Sequence, residues 1–152
     1  MKKIAALICT VICLFALNGC SRFAGIPETD DEWGIVLVAK DVTPTSMTIV
    51  CAQRDVKPDG RWMSGSYFRL EVIEDGDWVR LDPKIRTGWT TEGWIIRVND
   101  VVEWEESWER LYGELSPGQY RIVKNILYSH ATNDYEEKEY FAEFTIGDST
   151  EG

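Results

Sequence analysis

An all-β fold, a sandwich of seven to eight short antiparallel strands, is what this sequence predicts. Three observations carry that expectation. Apolar and polar residues alternate with a period of two, most clearly where Phe68, Leu70 and Val72 interleave with Arg69 and Glu71. Turn signals recur at intervals of roughly 8–12 residues, the spacing of sandwich strands. Beyond the first twenty residues no stretch sustains the apolar stripe of a long helix.

The strands follow in order. Trp33 to Val42 reads as the first, with Ile35, Leu37 and Ala39 on one face. Thr43-Pro44-Thr45-Ser46 is a turn, and Met47 to Gln53 the antiparallel partner, with Met47, Ile49 and Cys51 on one face. Arg54 to Ser64 reads as a loop around Pro58-Asp59-Gly60. Tyr67 to Glu74 and Trp78 to Leu81 are two strands joined at Asp75-Gly76, the strongest hairpin signal in the chain. Pro83 to Gly93 is irregular, and Trp94 to Val98 a short strand.

Val102 to Leu111 admits two periods. Val102, Trp104 and Trp108 fit alternation with one gap, while Trp104, Trp108 and Leu111 fit a helix. It reads as a strand ending in a short helical turn. In Leu115-Ser116-Pro117-Gly118-Gln119-Tyr120 a turn separates a buried Leu from a Tyr whose hydroxyl can bond back to upstream backbone, a tyrosine corner. Gln119 to Leu127 is the next strand and Tyr128 to Glu137 a polar loop. Tyr140 to Ile146 closes the set, with Tyr140, Ala142, Phe144 and Ile146 facing in.

Composition bounds the function. The 152 residues suffice for one domain with its own core, and 44% are hydrophobic. The formal net charge is −10. From Cys20 onward 14 basic residues face 26 acidic ones. That balance argues against nucleic acid, whose phosphates demand a positive face, and against peripheral binding to anionic lipid. An acidic surface keeps an exported domain soluble.

The first twenty residues read as an address. Lys2 and Lys3 precede Ile4 to Leu17, an apolar run of 14 residues broken only by Thr10. A spanning helix needs about 20 residues, so this run has the length of a secretory signal core instead. It ends in Leu17-Asn18-Gly19-Cys20, which resembles the bacterial lipobox. The resemblance implies that the Cys20 thiol receives diacylglycerol, that cleavage follows, and that Cys20 becomes the new N-terminus. Membrane lipid, reached through Cys20, is then the expected partner, and the extracytoplasmic face of the bacterial cell membrane the expected location. Residues 1–19 are the signal peptide, 20–32 the lipidated Cys and a tether with little to pack, 33–147 the sandwich and 148–152 a C-terminal tail. Cys9 and Cys13 leave with the signal, and Cys51 remains as a small buried hydrophobe.

The mature region resembles a bacterial Ig-like domain family found in exported proteins. The likeness is carried by Asp41-Val42-Thr43-Pro44-Thr45, Gly65-Ser66-Tyr67, Leu70-Glu71-Val72 with Trp78-Val79, and Gly88-Trp89-Thr90. Its most specific part is Trp108-Glu109-Arg110-Leu111-Tyr112-Gly113 with Leu115, Pro117-Gly118 and Tyr120-Arg121-Ile122, and Tyr140-Phe141-Ala142-Glu143-Phe144 closes it. It spans roughly Trp33 to Ile146. The resemblance implies an Ig-like β-sandwich outside the cytoplasm and brings no catalytic residues.

The residues offer little chemistry. The single His, His130, sits in a polar stretch, and no Ser lies in a nucleophile elbow. Zinc ligands are too few. The carboxylate clusters Asp30-Asp31-Glu32, Glu103 with Glu105-Glu106, and Asp134 with Glu136-Glu137 match no calcium loop and read as solvated acidic edges. No cofactor and no enzymatic activity is expected. The 7 Trp residues are the remaining signal. Trp62 and Trp89 fall in loop-like segments and are the candidate ligand-binding residues, for a glycan or a protein partner. A carbohydrate-binding module predicts at least two coplanar exposed indoles. A cryptic hydrolase predicts a cleft with convergent carboxylates, and an accessory domain for a membrane protein predicts a contiguous apolar patch. The expected role is a lipid-anchored, non-enzymatic binding or structural module.

Overall fold

The computed structural model describes residues 21–54, 61–86 and 88–147. The strands are β1 (Ile35–Lys40), β2 (Ser46–Gln53), β3 (Arg61–Glu74), β4 (Asp77–Arg80), β5 (Gly93–Ile96), β6 (Asp100–Ser107), β7 (Gly118–Ala131) and β8 (Asp134–Ile146). One short helix, α1 (Glu109–Tyr112), follows β6. They form two antiparallel sheets, one ordered β1-β2-β6 and one ordered β4-β3-β7-β8 with β5 also pairing β3. Thus β5 and β4 share one edge of the long β3, β5 along its first part and β4 along its last.

The inward faces follow the expected alternation. Leu37, Cys51 and Val102 lie in one cross-strand row, and Ala39, Ile49 and Trp104 in the next. Opposite them stand Phe68 and Leu70 on β3, Tyr120, Ile122 and Ile126 on β7, and Ala142, Phe144 and Ile146 on β8. Asp75 and Gly76 both take positive φ (51° and 89°) between the paired Glu74 and Asp77, as a two-residue hairpin matched to strand twist requires. The Tyr120 hydroxyl donates to the Ser116 carbonyl at 2.7 Å, so the tyrosine corner forms. Segment 102–111 divides as expected, into strand through Ser107 and one helical turn after it.

Three expectations need correction. The loop expected over 54–64 is strand from Arg61 onward, because Trp62 and Ser64 pair with Tyr128 and Ile126 of β7. Residues 55–60, with the Pro58-Asp59-Gly60 turn, lie outside the described residues. The polar loop expected over 128–137 is a hairpin. Ala131 pairs with Asp134, and Asn133 takes the positive φ (63°) that such a turn needs. Polar composition hid the pairing there because both strand ends face water.

The third correction concerns the segment after Cys20. Residues 21–27 do not hang free. Arg22 bridges to Asp100 at 3.0 Å, and the Arg54 guanidinium donates to the carbonyls of Pro27 (2.7 Å) and Ile26 (3.2 Å) while lying over the Phe23 ring. This leash lies across the outer side of the smaller sheet, bordering a recess with Val38, Val50 and Val101. It explains why Val50 and Ala52, which point away from the sandwich interior, are buried. Asp31 then accepts from the Trp33 and Ile35 amides and from the Tyr140 hydroxyl (2.8 Å), tying the segment to β8.

Candidate binding groove

The site starts from two charges in the wrong place. Glu106 on β6 and Lys124 on β7 occupy inward positions in opposite sheets and are 5% and 0% exposed. Their side chains meet at 2.5 Å across the core. Burying either charge alone costs several kcal/mol, so the pair survives only by satisfying itself. Lys124 also donates to the Gly65 carbonyl at 2.7 Å, and Glu106 accepts from the Trp104 indole at 3.1 Å. The ammonium sits 5.0 Å from the Trp94 ring centre, with Phe68 and Trp104 beside it. Burial raises the Glu106 pKa against the opposing pull of Lys124, and burial lowers that of Lys124 against the pull of Glu106.

That bond to Gly65 holds a bulge. Between Ser64 and Phe68 the β3–β7 register shifts, with Gly65, Ser66 and Tyr67 standing opposite Asn125 alone. The bulge reaches the next loop, where the Ser66 hydroxyl donates to the Thr90 carbonyl at 2.8 Å. Gly93 is required beside it, since a Cβ there would stand 2.9 Å from the Ser64 carbonyl. The loop bearing Trp89 is therefore fastened to a bulge, and the bulge to the buried ion pair.

Trp89 packs edge-on against Tyr67 (5.0 Å between ring centres) and Phe68 (5.3 Å) and keeps 40% of its surface exposed. Around it lies a groove of about 310 Å³, walled by Tyr67, Ile85, Tyr112 and the guanidinium-bearing Arg80 and Arg86. The Lys84 amide donates to the Leu111 carbonyl at 2.7 Å and fixes the far wall to α1. Arg86 forms no ion pair among the described residues. Arg80 forms no close one there, but it stands opposite Glu71 and, behind the Arg69 guanidinium that does so chiefly, helps hold the Glu139 pKa down. Burial raises the Tyr112 pKa, so its hydroxyl stays a neutral donor and acceptor. A ring face beside the Arg86 guanidinium, with Arg80 on the same wall, suits a ligand with a flat or apolar body and an anionic group.

The other candidates fall elsewhere. Trp62 is completely buried against Tyr128, so it has no face to offer a ligand. Trp33, Trp104 and Trp108 are likewise buried, and Trp78 and Trp94 half-buried. The pair of coplanar exposed indoles that a sugar platform needs does not form among the described residues. Cys20 lies outside the described residues. Cys51 is buried and its thiol pushed up to about 12 by burial. His130 is exposed near the β7–β8 turn, 3.0 Å from Glu136. Among the described residues no three His, Cys, Asp or Glu side chains gather as a metal site would require, and no helix is long and apolar enough to cross a membrane. The sequence reading missed Glu106 as a core residue, although it fills the one gap in the alternation of Val102, Trp104 and Trp108. Lys124 likewise falls in phase with Ile122 and Ile126.

Two antiparallel sheets, a tyrosine corner and a core closed between their inner faces define an Ig-like sandwich. The family described as Bacterial Ig-like domain matches residues 31–145, most of the chain, and the protein belongs to it. No curated protein and no solved structure matches the chain.

Proposed function

We propose that this protein is a lipid-anchored extracytoplasmic module that binds without catalysing a reaction, and that the Trp89 groove is where it binds. The observation that carries the reading is the pairing of an exposed indole with two arginines in a recess fastened to the core. The ligand is a glycan or protein segment presenting an anionic group beside a flat or apolar surface. Family membership supports a binding or structural role outside the cytoplasm, and Leu17-Asn18-Gly19-Cys20 supports the anchor.

Both halves are open to test on the full chain expressed in a bacterium. Metabolic labelling with a palmitate analogue should mark the wild type and leave Cys20→Ser unmarked; an unlabelled wild type removes the anchor. Titration with acidic and neutral cell-wall polysaccharides and with acidic peptides should change tryptophan emission saturably for one anionic class. Trp89→Ala and Arg86→Ala should abolish that change. An unaltered response in Trp89→Ala would remove the groove from the binding role.

A further inference from the structure

The groove beside Trp89 has two walls, and the fold holds them by different means. On the wall of Tyr112 and Ile85, the Lys84 amide donates to the Leu111 carbonyl and the Tyr112 amide to the Trp108 carbonyl. The Trp108 indole in turn donates to the Pro44 carbonyl at 2.8 Å, in the turn between β1 and β2. None of these bonds involves Lys124 or Glu106.

The wall of Trp89 and Tyr67 reaches the buried pair by two routes. One runs along β3. Lys124 holds the Gly65 carbonyl at 2.7 Å, and the adjacent Ser66 holds the carbonyl of Thr90, next to Trp89, at 2.8 Å. The other runs through β5, where the loop ends. Gly93 pairs with Gly65 and Trp94 with Ser64. Trp94 stacks on Trp104 of the opposite sheet at 5.0 Å and 14°, and the Trp104 indole donates to Glu106. The Lys124 ammonium lies 5.0 Å from the same Trp94 ring. Phe68 stands between the walls, 5.3 Å from Trp89 and 6.3 Å from Tyr112, and strand pairing keeps it opposite residue 124 whatever side chain stands there.

A charged donor in a dry core makes a strong, directed hydrogen bond. Methionine fills a similar volume and donates nothing, so the Gly65 carbonyl would lose its partner. A bulge has no regular ladder bond to take over.

We propose that Lys124, set by Glu106 from the opposite sheet, is a positioning residue for the groove, fixing the Trp89 wall and leaving the Tyr112 wall independent. Its meaning for binding rests on the reading of the groove as the binding site, but the positioning itself is read without a ligand. Two side chains that line no part of the groove then set the place of its exposed indole.

The test uses fluorine NMR of the full chain, purified in detergent with fluorotryptophan in place of tryptophan. Trp89→Phe, Trp94→Phe and Trp108→Phe assign the three signals needed. In Lys124→Met with Glu106→Gln, the Trp89 and Trp94 signals should shift by more than a line width while that of Trp108 stays. Ser66→Ala should shift Trp89 and leave Trp94 and Trp108 in place. This variant keeps the core intact and decides the matter if the double variant does not fold. A Trp89 signal at its wild-type position in either folded variant would overturn the proposal. So would a Trp108 signal that moves with it in the folded double variant, since loosening would then be general. An acidic polysaccharide or peptide that binds the wild type should bind the double variant several-fold more weakly. Unchanged affinity beside a shifted Trp89 signal would overturn the role in binding. If no such probe binds the wild type, the binding reading falls, and the fluorine signals alone judge the positioning.

Discussion

Lys124 shows what one residue can impose on a small core. Its ammonium is fully enclosed and has two polar partners, Glu106 at 2.5 Å and the Gly65 carbonyl at 2.7 Å. Lys124→Met leaves Glu106 buried without its cation, and stability should fall by about 3–5 kcal/mol. Adding Glu106→Gln removes the stranded charge while keeping an acceptor for Trp104, and should recover more than half of that loss. Urea unfolding followed by tryptophan emission checks both, and additive losses would show that the two residues act separately. Glu71 behaves oppositely. Burial pushes its pKa up, but hydrogen bonds from Arg69 and Arg121 outweigh burial and hold it below the ordinary 4.5. Its contribution to stability is then complete above about pH 4.5 and lost as pH falls through the lowered folded value. Glu71→Gln should lower the melting temperature at neutral pH and flatten its decline in acid. An unchanged acid slope would place the acid sensitivity elsewhere.

At the level of elements, β3 organises the molecule. It is long enough to pair with β7 on one side and with both β5 and β4 on the other, and its bulge marks the change between them. The bulge turns Tyr67 toward the groove, so binding geometry depends on a strand irregularity instead of a free loop. The Leu115–Tyr120 corner performs a similar task between α1 and β7. Tyr120→Phe removes one hydrogen bond to the Ser116 carbonyl and should cost about 1 kcal/mol, measured as a shift in the urea midpoint with unchanged slope. A neutral outcome would mean that water replaces the tyrosine hydroxyl without loss.

For the whole molecule, the leash matters most. Arg54 holds the carbonyls of Ile26 and Pro27 and covers Phe23, and with Arg22 it keeps residues 21–27 on the smaller sheet. Arg54→Ala should destabilise the fold by about 1–2 kcal/mol and speed proteolysis within the leash. Unchanged cleavage would show that the apolar contacts with Val50 and Val101 suffice alone.

Much of this architecture was legible in the residues. Period-two alternation set the faces of most strands, Asp75-Gly76 set a hairpin, and Leu115 to Tyr120 set the corner, because each depends on local backbone geometry. The loops expected over Arg54–Ser64 and Tyr128–Glu137 show the limit: a turn signal in the first and polar composition in the second do not say where pairing stops, whereas a strand exists wherever a neighbour supplies its hydrogen bonds, as from Arg61 onward. By itself the sequence determined an all-β sandwich, its acidic balance and Trp89 as an available ring. Only the tertiary structure decided that Trp62 is core, that Glu106 and Lys124 meet, and that the leash is fastened. Those outcomes depend on which distant strands come together, and pairing across the core decides whether a buried charge or ring is tolerated.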